Sequence, residues 1–270
     1  NRIGLTPHRL GYTYLSLSEN NRDSATNIFT DVFEKGIRHL NPDIEDDTIK
    51  RTLEDISLAL DNEDLGKSFY TMLTTNSGVK LIDLADFSQN SLHVVTELTC
   101  KNGEDEFRPD ITLLINGMPL AFIEVKKPNN QEGVLAERDR INVRFKNKKF
   151  RKFINISQIL VFSNNMEYDQ DSVEPIQGAF YSSTSFNEAN FNCFREEDKF
   201  DLDTLLHPED DQIENTVLKD NNLSAIKYSP EFLTNKNPSA PTNRILTSLF
   251  SSERFAFLLK YSIAYVQEEQ

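Results

Sequence analysis

Hydrophobic residues recur along the chain with two periods, and the period changes near residue 80. Ala25, Ile28, Phe29, Val32, Phe33, Gly36, Ile37 and Leu40 fall on one face of a helix that Asp23 or Ser24 can cap and Asn41-Pro42 ends. Ile49, Leu53, Ile56 and Leu60 line a second helix over about residues 46–60, and a short third covers 67–74. The middle of the chain changes character. Residues 81–84 and 92–98 read as strands, with a charged turn following at 101–106. Residues 110–115 are β-rich, Asn116-Gly117 is a strong hairpin signal, and 119–126 is the returning strand. Residues 132–153 predict an amphipathic basic helix, 159–163 a buried strand, and 179–181 one more. The stretch 187–220 is acidic and less regular, 235–241 reads as a linker, and 246–266 as an aromatic-rich helix or helix pair. A hairpin followed by a helical crossover predicts an α/β fold, a mixed sheet flanked by helices with an N-terminal helical portion. The expected division is one domain over 1–230, helical over about 1–75 with an α/β core over about 76–185, and a linker with a terminal helix over 231–270.

The length of 270 residues is ample for a core. No stretch is apolar enough to span a membrane, the start lacks a signal-peptide core, and a cytoplasmic protein is the expectation. Two cysteines, Cys100 and Cys193, make neither a disulfide framework nor a sulfur-based zinc site. The net charge of −14 argues against nucleic acid as an average, yet it conceals an asymmetry. Ten Lys or Arg and three acids lie between Lys126 and Lys152, while acids gather at 43–47, 104–106, 196–203 and 209–214. A basic stripe on an acidic body can bind a phosphate backbone locally, although a solvated helix face explains such a stripe equally well.

The candidate chemistry lies in Arg108-Pro109-Asp110 and Glu124-Val125-Lys126. Asp110 opens one arm of the hairpin; Glu124 and Lys126, two apart near the end of the other, share a face. Two carboxylates beside carbonyl and water oxygens suit Mg²⁺, with Mn²⁺ an alternative, and a lysine beside them can sit near a phosphate or an attacking water. Such a group can hydrolyse a phosphodiester. A bare Asp…Glu-x-Lys pattern occurs in unrelated chains. The preceding proline, the apolar strand, the Asn-Gly turn and the adjacent basic segment distinguish this one.

These residues resemble the N-terminal nuclease region of the restriction (R) subunit of type I restriction-modification enzymes. The resemblance rests on Leu10-Gly11-Tyr12-Thr13-Tyr14, Arg38-His39-Leu40-Asn41-Pro42, the stretch from Phe107 to Pro128, and Gln158 to Asn165. It implies a PD-(D/E)xK fold, with Asp110 and Glu124 as metal-binding acids, the Val125 carbonyl as a further ligand, and Lys126 as the catalytic lysine. It also implies double-stranded DNA as substrate, and modification and specificity subunits as partners. Lys127, Arg138, Arg140, Arg144, Lys146, Lys148, Lys149, Arg151 and Lys152 would grip the DNA backbone. No G-x-x-x-x-G-K-[ST] loop occurs, so ATP would be needed only by a motor expected to follow Gln270. The family's Gln…Tyr pair has no clear equivalent, with Asn142 and Phe145 only nearby, and Glu19 is a weak candidate for an additional acid. The alternative reading is a docking domain that couples a motor to its modification complex and is inactive as a nuclease in isolation.

Overall fold

The computed structural model describes residues 5–75, 78–127, 133–168, 177–185, 189–195 and 201–266. Pro128, Glu132 and part of the acidic stretch after Glu196 therefore lie outside the described residues. The strands are β1 (Thr13–Tyr14), β2 (Leu92–Thr96), β3 (Cys100–Asn102), β4 (Asp105–Phe107), β5 (Ile111–Ile115), β6 (Met118–Val125), β7 (Ile159–Ser163), β8 (Ala179–Ser182) and β9 (Asn192–Cys193). Seven of them form one sheet in the order β1-β2-β5-β6-β7-β8-β9, and β3 and β4 make a separate hairpin. The sheet is mixed: β1–β2 and β6–β7 pair in parallel, and the other neighbours are antiparallel.

The helices before the hairpin are α1 (Leu5–Arg9), α2 (Thr30–Leu40), α3 (Asp46–Ala59) and α4 (Lys67–Thr74). After it come α5 (Gly133–Lys146), α6 (Arg151–Ile156), α7 (Leu202–Leu205), α8 (Asp211–Asp220), α9 (Pro230–Asn235), α10 (Pro241–Phe250) and α11 (Ser252–Tyr261). Alternation along the central strands sorts the core into two layers. Ile111, Leu113, Ile123 and Val161 face a core built with Phe33, Ile37, Ile56, Phe69, Phe250 and Phe255. Leu114, Phe122, Leu160 and Phe162 face a second core with Ile141, Phe150, Phe153 and Ile154. The fold is thus the expected mixed α/β sheet with helices on both faces. Ile245, Leu246, Phe250 and Leu259 join the first core, and the buried Tyr12 hydroxyl donates to the Phe250 carbonyl at 2.9 Å.

Four local expectations are corrected. The helix expected from near residue 25 is α2, and it starts at Thr30. Asp23 caps a turn by accepting from the Thr26 amide, and Asn27 takes a left-handed φ of 60° that interrupts any helix there. Residues 81–84 form no strand. The Asp83 carboxylate accepts the Ala85 and Asp86 amides, folding the chain into a side-chain-stabilised turn. The strand expected over 92–98 stops at Thr96, because Glu97 adopts φ 55°. The basic helix expected over 132–153 is two helices, separated at Asn147, whose side chain accepts the Lys149 amide and caps a short 3₁₀ turn. Two of the other readings gained detail. The charged turn at 101–106 is the β3–β4 hairpin, and the aromatic-rich end is a helix pair.

Candidate active site

The site is set by the register of one hairpin. Asn116 and Gly117 connect β5 to β6, both with positive φ (48° and 79°), as a tight two-residue hairpin turn requires. The turn is buried. The Asn116 amide donates to Leu81 O and Asn90 Oδ1, both at 2.9 Å, and Gly117 O accepts the Phe29 amide at 2.9 Å. A regular ladder from this turn would place Asp110 opposite Ile123, on the wrong face. Instead the pairing runs Leu114↔Pro119 and then Leu113↔Ala121, so Leu120 is an extra, bulged residue. Beyond the bulge Ile111 opposes Ile123, and the ladder carried one step further brings Asp110 opposite Glu124. A one-residue slip exchanges the faces of a strand, so this bulge decides whether the two carboxylates meet.

Asp110 and Glu124 are both buried, at 5% and 6% exposure. The Val125 amide donates to Asp110 Oδ2 at 2.6 Å, which ties the first acid to the strand that carries the second. Lys126 Nζ lies 2.8 Å from Glu124 Oε1 and 3.0 Å from Glu137 Oε2 on α5. Glu124 Oε2 is buried with no hydrogen-bond partner. Burial pushes the Glu124 carboxyl above its ordinary range, the Asp110 carboxylate adds to this, and Lys126 opposes it. For Lys126, burial disfavours the charge, but Glu124 and Glu137 outweigh it and hold the ammonium above its ordinary range. The structure therefore brings together the three residues expected from the sequence, and adds Glu137.

An ion is the natural partner for an orphaned oxygen in a pair of buried carboxylates. Asp110, Glu124 and the Val125 carbonyl could supply oxygen ligands of the kind Mg²⁺ takes, with water and phosphate oxygens completing the shell. Among the described residues no group of three or more His, Cys, Asp or Glu could hold a metal ion, so the protein donors are few, as is usual for Mg²⁺ at a phosphate. A cleft of about 590 Å³ opens beside the acids. Arg108, Val125, Lys126 and Lys127 line it together with residues such as Asp220, Asn221 and Phe232, and Asp110 and Glu124 themselves are not among its lining residues. Glu97, whose amide donates to Asp110 O at 3.0 Å, pairs with Arg108 at 2.6 Å on the rim.

The basic residues divide by surroundings. Lys127 and Lys146 are exposed, and Arg138 lies 3.6 Å from Asp139. Arg140 and Arg144 reach Glu137 at 3.1 and 3.6 Å, and Arg144 also covers the Phe107 ring. Lys148 and Arg151 pair with Glu63, Lys152 with Asp61, and Lys149 with Asp105. Asn142 is buried and accepts the Ala189 amide at 2.7 Å, Phe145 packs on the second core, and Glu19 is exposed.

The family model for the type I restriction enzyme R protein N terminus matches residues 4–169, which include both arms of the hairpin, α5 and β7. The chain belongs to this family. A relative named as the type I restriction enzyme MjaIXP endonuclease subunit, from Methanocaldococcus jannaschii, is 31% identical over 185 residues, covering 58% of this chain and 17% of that protein. The chain thus spans about a sixth of the curated relative it matches. The family match contains every element that positions Asp110, Glu124, Lys126 and Glu137. Sequence reading passed over Glu137 as one acid in a basic stripe. Its signal was present: Glu137, Arg140, Ile141 and Arg144 follow helical spacing, which places the acid and two arginines on the face that Ile141 buries.

Proposed function

We propose that this chain is the Mg²⁺-dependent endonuclease region of a type I restriction enzyme R subunit, hydrolysing phosphodiester bonds of double-stranded DNA. The observation that carries the reading is the buried Asp110–Glu124 pair with one orphaned carboxylate oxygen, bonded to Lys126 at the edge of a cleft. Two buried carboxylates resist ionising together without a cation, so the arrangement is organised for a charge that the polypeptide only partly provides. Bound there, Mg²⁺ would lower the pKa of an attacking water and neutralise charge developing on the phosphate.

The chain's own residues then divide the remaining work. The Val125 amide fixes the Asp110 carboxylate, so that acid meets an incoming group in one orientation. Lys126 places its ammonium between the acids and the cleft, where it offsets phosphate charge and orients water. In the net reaction water oxygen bonds to phosphorus, one ester P–O bond breaks, and the leaving oxygen gains a proton. Exposed Lys127, Arg140 and Lys146 would bind flanking phosphates. As an R subunit region, the chain would act with modification and specificity subunits and with an ATP-driven motor supplied elsewhere in the subunit.

Plasmid cleavage with Mg²⁺ or Mn²⁺ tests the reading, with calorimetric titration of the same ions alongside. Wild type should bind the ion and nick DNA, in the isolated chain or in the complete R subunit with its partners and ATP. Glu124→Ala should abolish the binding isotherm and Lys126→Ala the cleavage. Equal cleavage by wild type and Lys126→Ala in the complete assembly would remove the nuclease reading.

A further inference from the structure

Glu137 is a buried carboxylate beside the acid pair that has no task in the nuclease reading. Glu137 is 1% exposed, yet it sits on a helix whose neighbouring residues are largely charged. A carboxylate is rarely buried so completely unless it is paired, and this one meets three cations. Lys126 Nζ lies 3.0 Å and Arg140 Nη1 3.1 Å from Oε2, and Arg144 Nη1 lies 3.6 Å from Oε1. Arg140 is half exposed, whereas Lys126 and Arg144 are mostly covered. Glu137 thus gathers positive charge from β6 and α5 at one point beside the cleft.

The donor count gives this arrangement a consequence. A lysine ammonium has three N–H donors. One reaches Glu124 Oε1 at 2.8 Å and one reaches Glu137 Oε2. Among the described residues the third has no side-chain partner, which leaves it for the cleft that Lys126 lines. Glu124 meanwhile keeps Oε2 without a partner. The two facts are linked, because an ammonium held on its far side by Glu137 bonds a single oxygen of Glu124. Without the Glu137 charge, Glu124 is the strongest acceptor left to Lys126, and the ammonium is free to settle across both of its oxygens.

We propose that Glu137 is a positioning residue that holds Lys126 between α5 and β6, keeps Glu124 Oε2 open for a cation, and directs the third lysine donor toward the cleft. The chemical purpose rests on the nuclease reading; the geometric role does not, and the test separates them. The chain is labelled with ¹³C,¹⁵N-lysine, and the Lys126 ammonium resonance is assigned by its loss in Lys126→Arg. Glu137→Gln keeps the volume and removes the charge. It should shift that resonance, speed exchange of its ammonium protons, and weaken Mn²⁺ binding about tenfold or more, the usual scale for removing a residue that orients a ligand. Glu137→Asp, which retains the charge on a shorter stem, should fall between the two. An unmoved Lys126 resonance in folded Glu137→Gln overturns the proposal, whether or not the chain cleaves DNA. Should Glu137→Gln fail to fold, Glu137→Asp decides, and unchanged ammonium exchange there overturns it. A resonance that responds to Glu137 in a chain with no ion affinity would uphold the positioning of Lys126 and sink the nuclease reading instead.

Discussion

At Gly117 the absence of a side chain lets the hairpin turn pack against α2, and at His93 a single buried ring makes stability depend on pH. A Cβ at Gly117 would lie 2.6 Å from Phe29 O and 2.7 Å from the Phe33 amide nitrogen, both backbone atoms that cannot give way. The left-handed φ of 79° adds its own cost. Gly117→Ala should therefore destabilise the fold by roughly 3 kcal/mol, read as a lower denaturant midpoint at an unchanged m-value. A loss below about 0.5 kcal/mol, the range of ordinary surface changes, would show that the turn is not pinned against α2. His93 on β2 raises a different point. Its Nδ1 is buried without a partner, and burial lowers its pKa to about 4 from an ordinary 6.5. The folded state holds the ring neutral while the unfolded chain takes up a proton below about 6.5. Stability from this group is complete above that pH and is lost as pH falls toward about 4. His93→Gln removes the titration, so its melting temperature should fall less than that of wild type between pH 7 and pH 4.5. Parallel falls in the two proteins would count against a neutral buried ring.

For the elements, the decisive quantity is the β5–β6 register. The bulge at Leu120 predicts that cysteines at Ile111 and Ile123 crosslink and that cysteines at Ile111 and Phe122 do not. Directly opposed residues bring Cα atoms to about 4.5–5.5 Å, inside the disulfide range, whereas residues one step out of register point to opposite faces. Peptide mapping after oxidation in a Cys193→Ser background distinguishes the pairs, and the reverse result would restore a regular ladder and separate Asp110 from Glu124. The strands themselves, the Asn-Gly turn and the Asp110, Glu124 and Lys126 cluster were legible in the chain. The bulge was not, because every residue of β5 and β6 is buried. Strands covered on both faces lose the apolar–polar alternation that reveals register. The N-terminal helix boundary was misread for a related reason. Ala25 and Ile28 fit the helical period, but Asn27 takes a left-handed backbone and the Phe29 amide bonds the distant Gly117 carbonyl, which no local pattern contains. At Glu137 the helical spacing to Arg140 and Arg144 was visible, but the partner that ties it to the site, Lys126, comes from another element.

Across the whole molecule, the basic stripe divides into cations already paired within the fold and cations left for a ligand. A net charge of −14 makes that division matter, since a DNA backbone approaching this body meets repulsion except where cations are unengaged. Lys148 and Arg151 are tied to Glu63 and Lys152 to Asp61, close to the end of α3. The Arg151 guanidinium also donates to Asp61 O at 2.8 Å, and Lys152 to Ser57 Oγ at 2.8 Å. These contacts clamp the start of α6 to the N-terminal helices, so their first role is to join the layers. Lys127 on the cleft wall and Lys146 at the end of α5 have exposed side chains, and half-exposed Arg140 pairs with Glu137 on its own helix. On the nuclease reading, the two sets should separate in a salt titration of DNA binding. Replacing Lys127 or Lys146 by Ala should weaken affinity on every sequence and reduce the slope of log K against log salt by about 0.9 per lost phosphate contact. Replacing Lys148 or Lys152 should leave that slope in place and lower the melting temperature, with a cost of about 1 kcal/mol or less because exposed pairs are screened. Equal loss of slope from both sets would mean that DNA competes successfully for the paired lysines, extending the contact surface from the cleft around the end of α6 to the helical N-terminal layer.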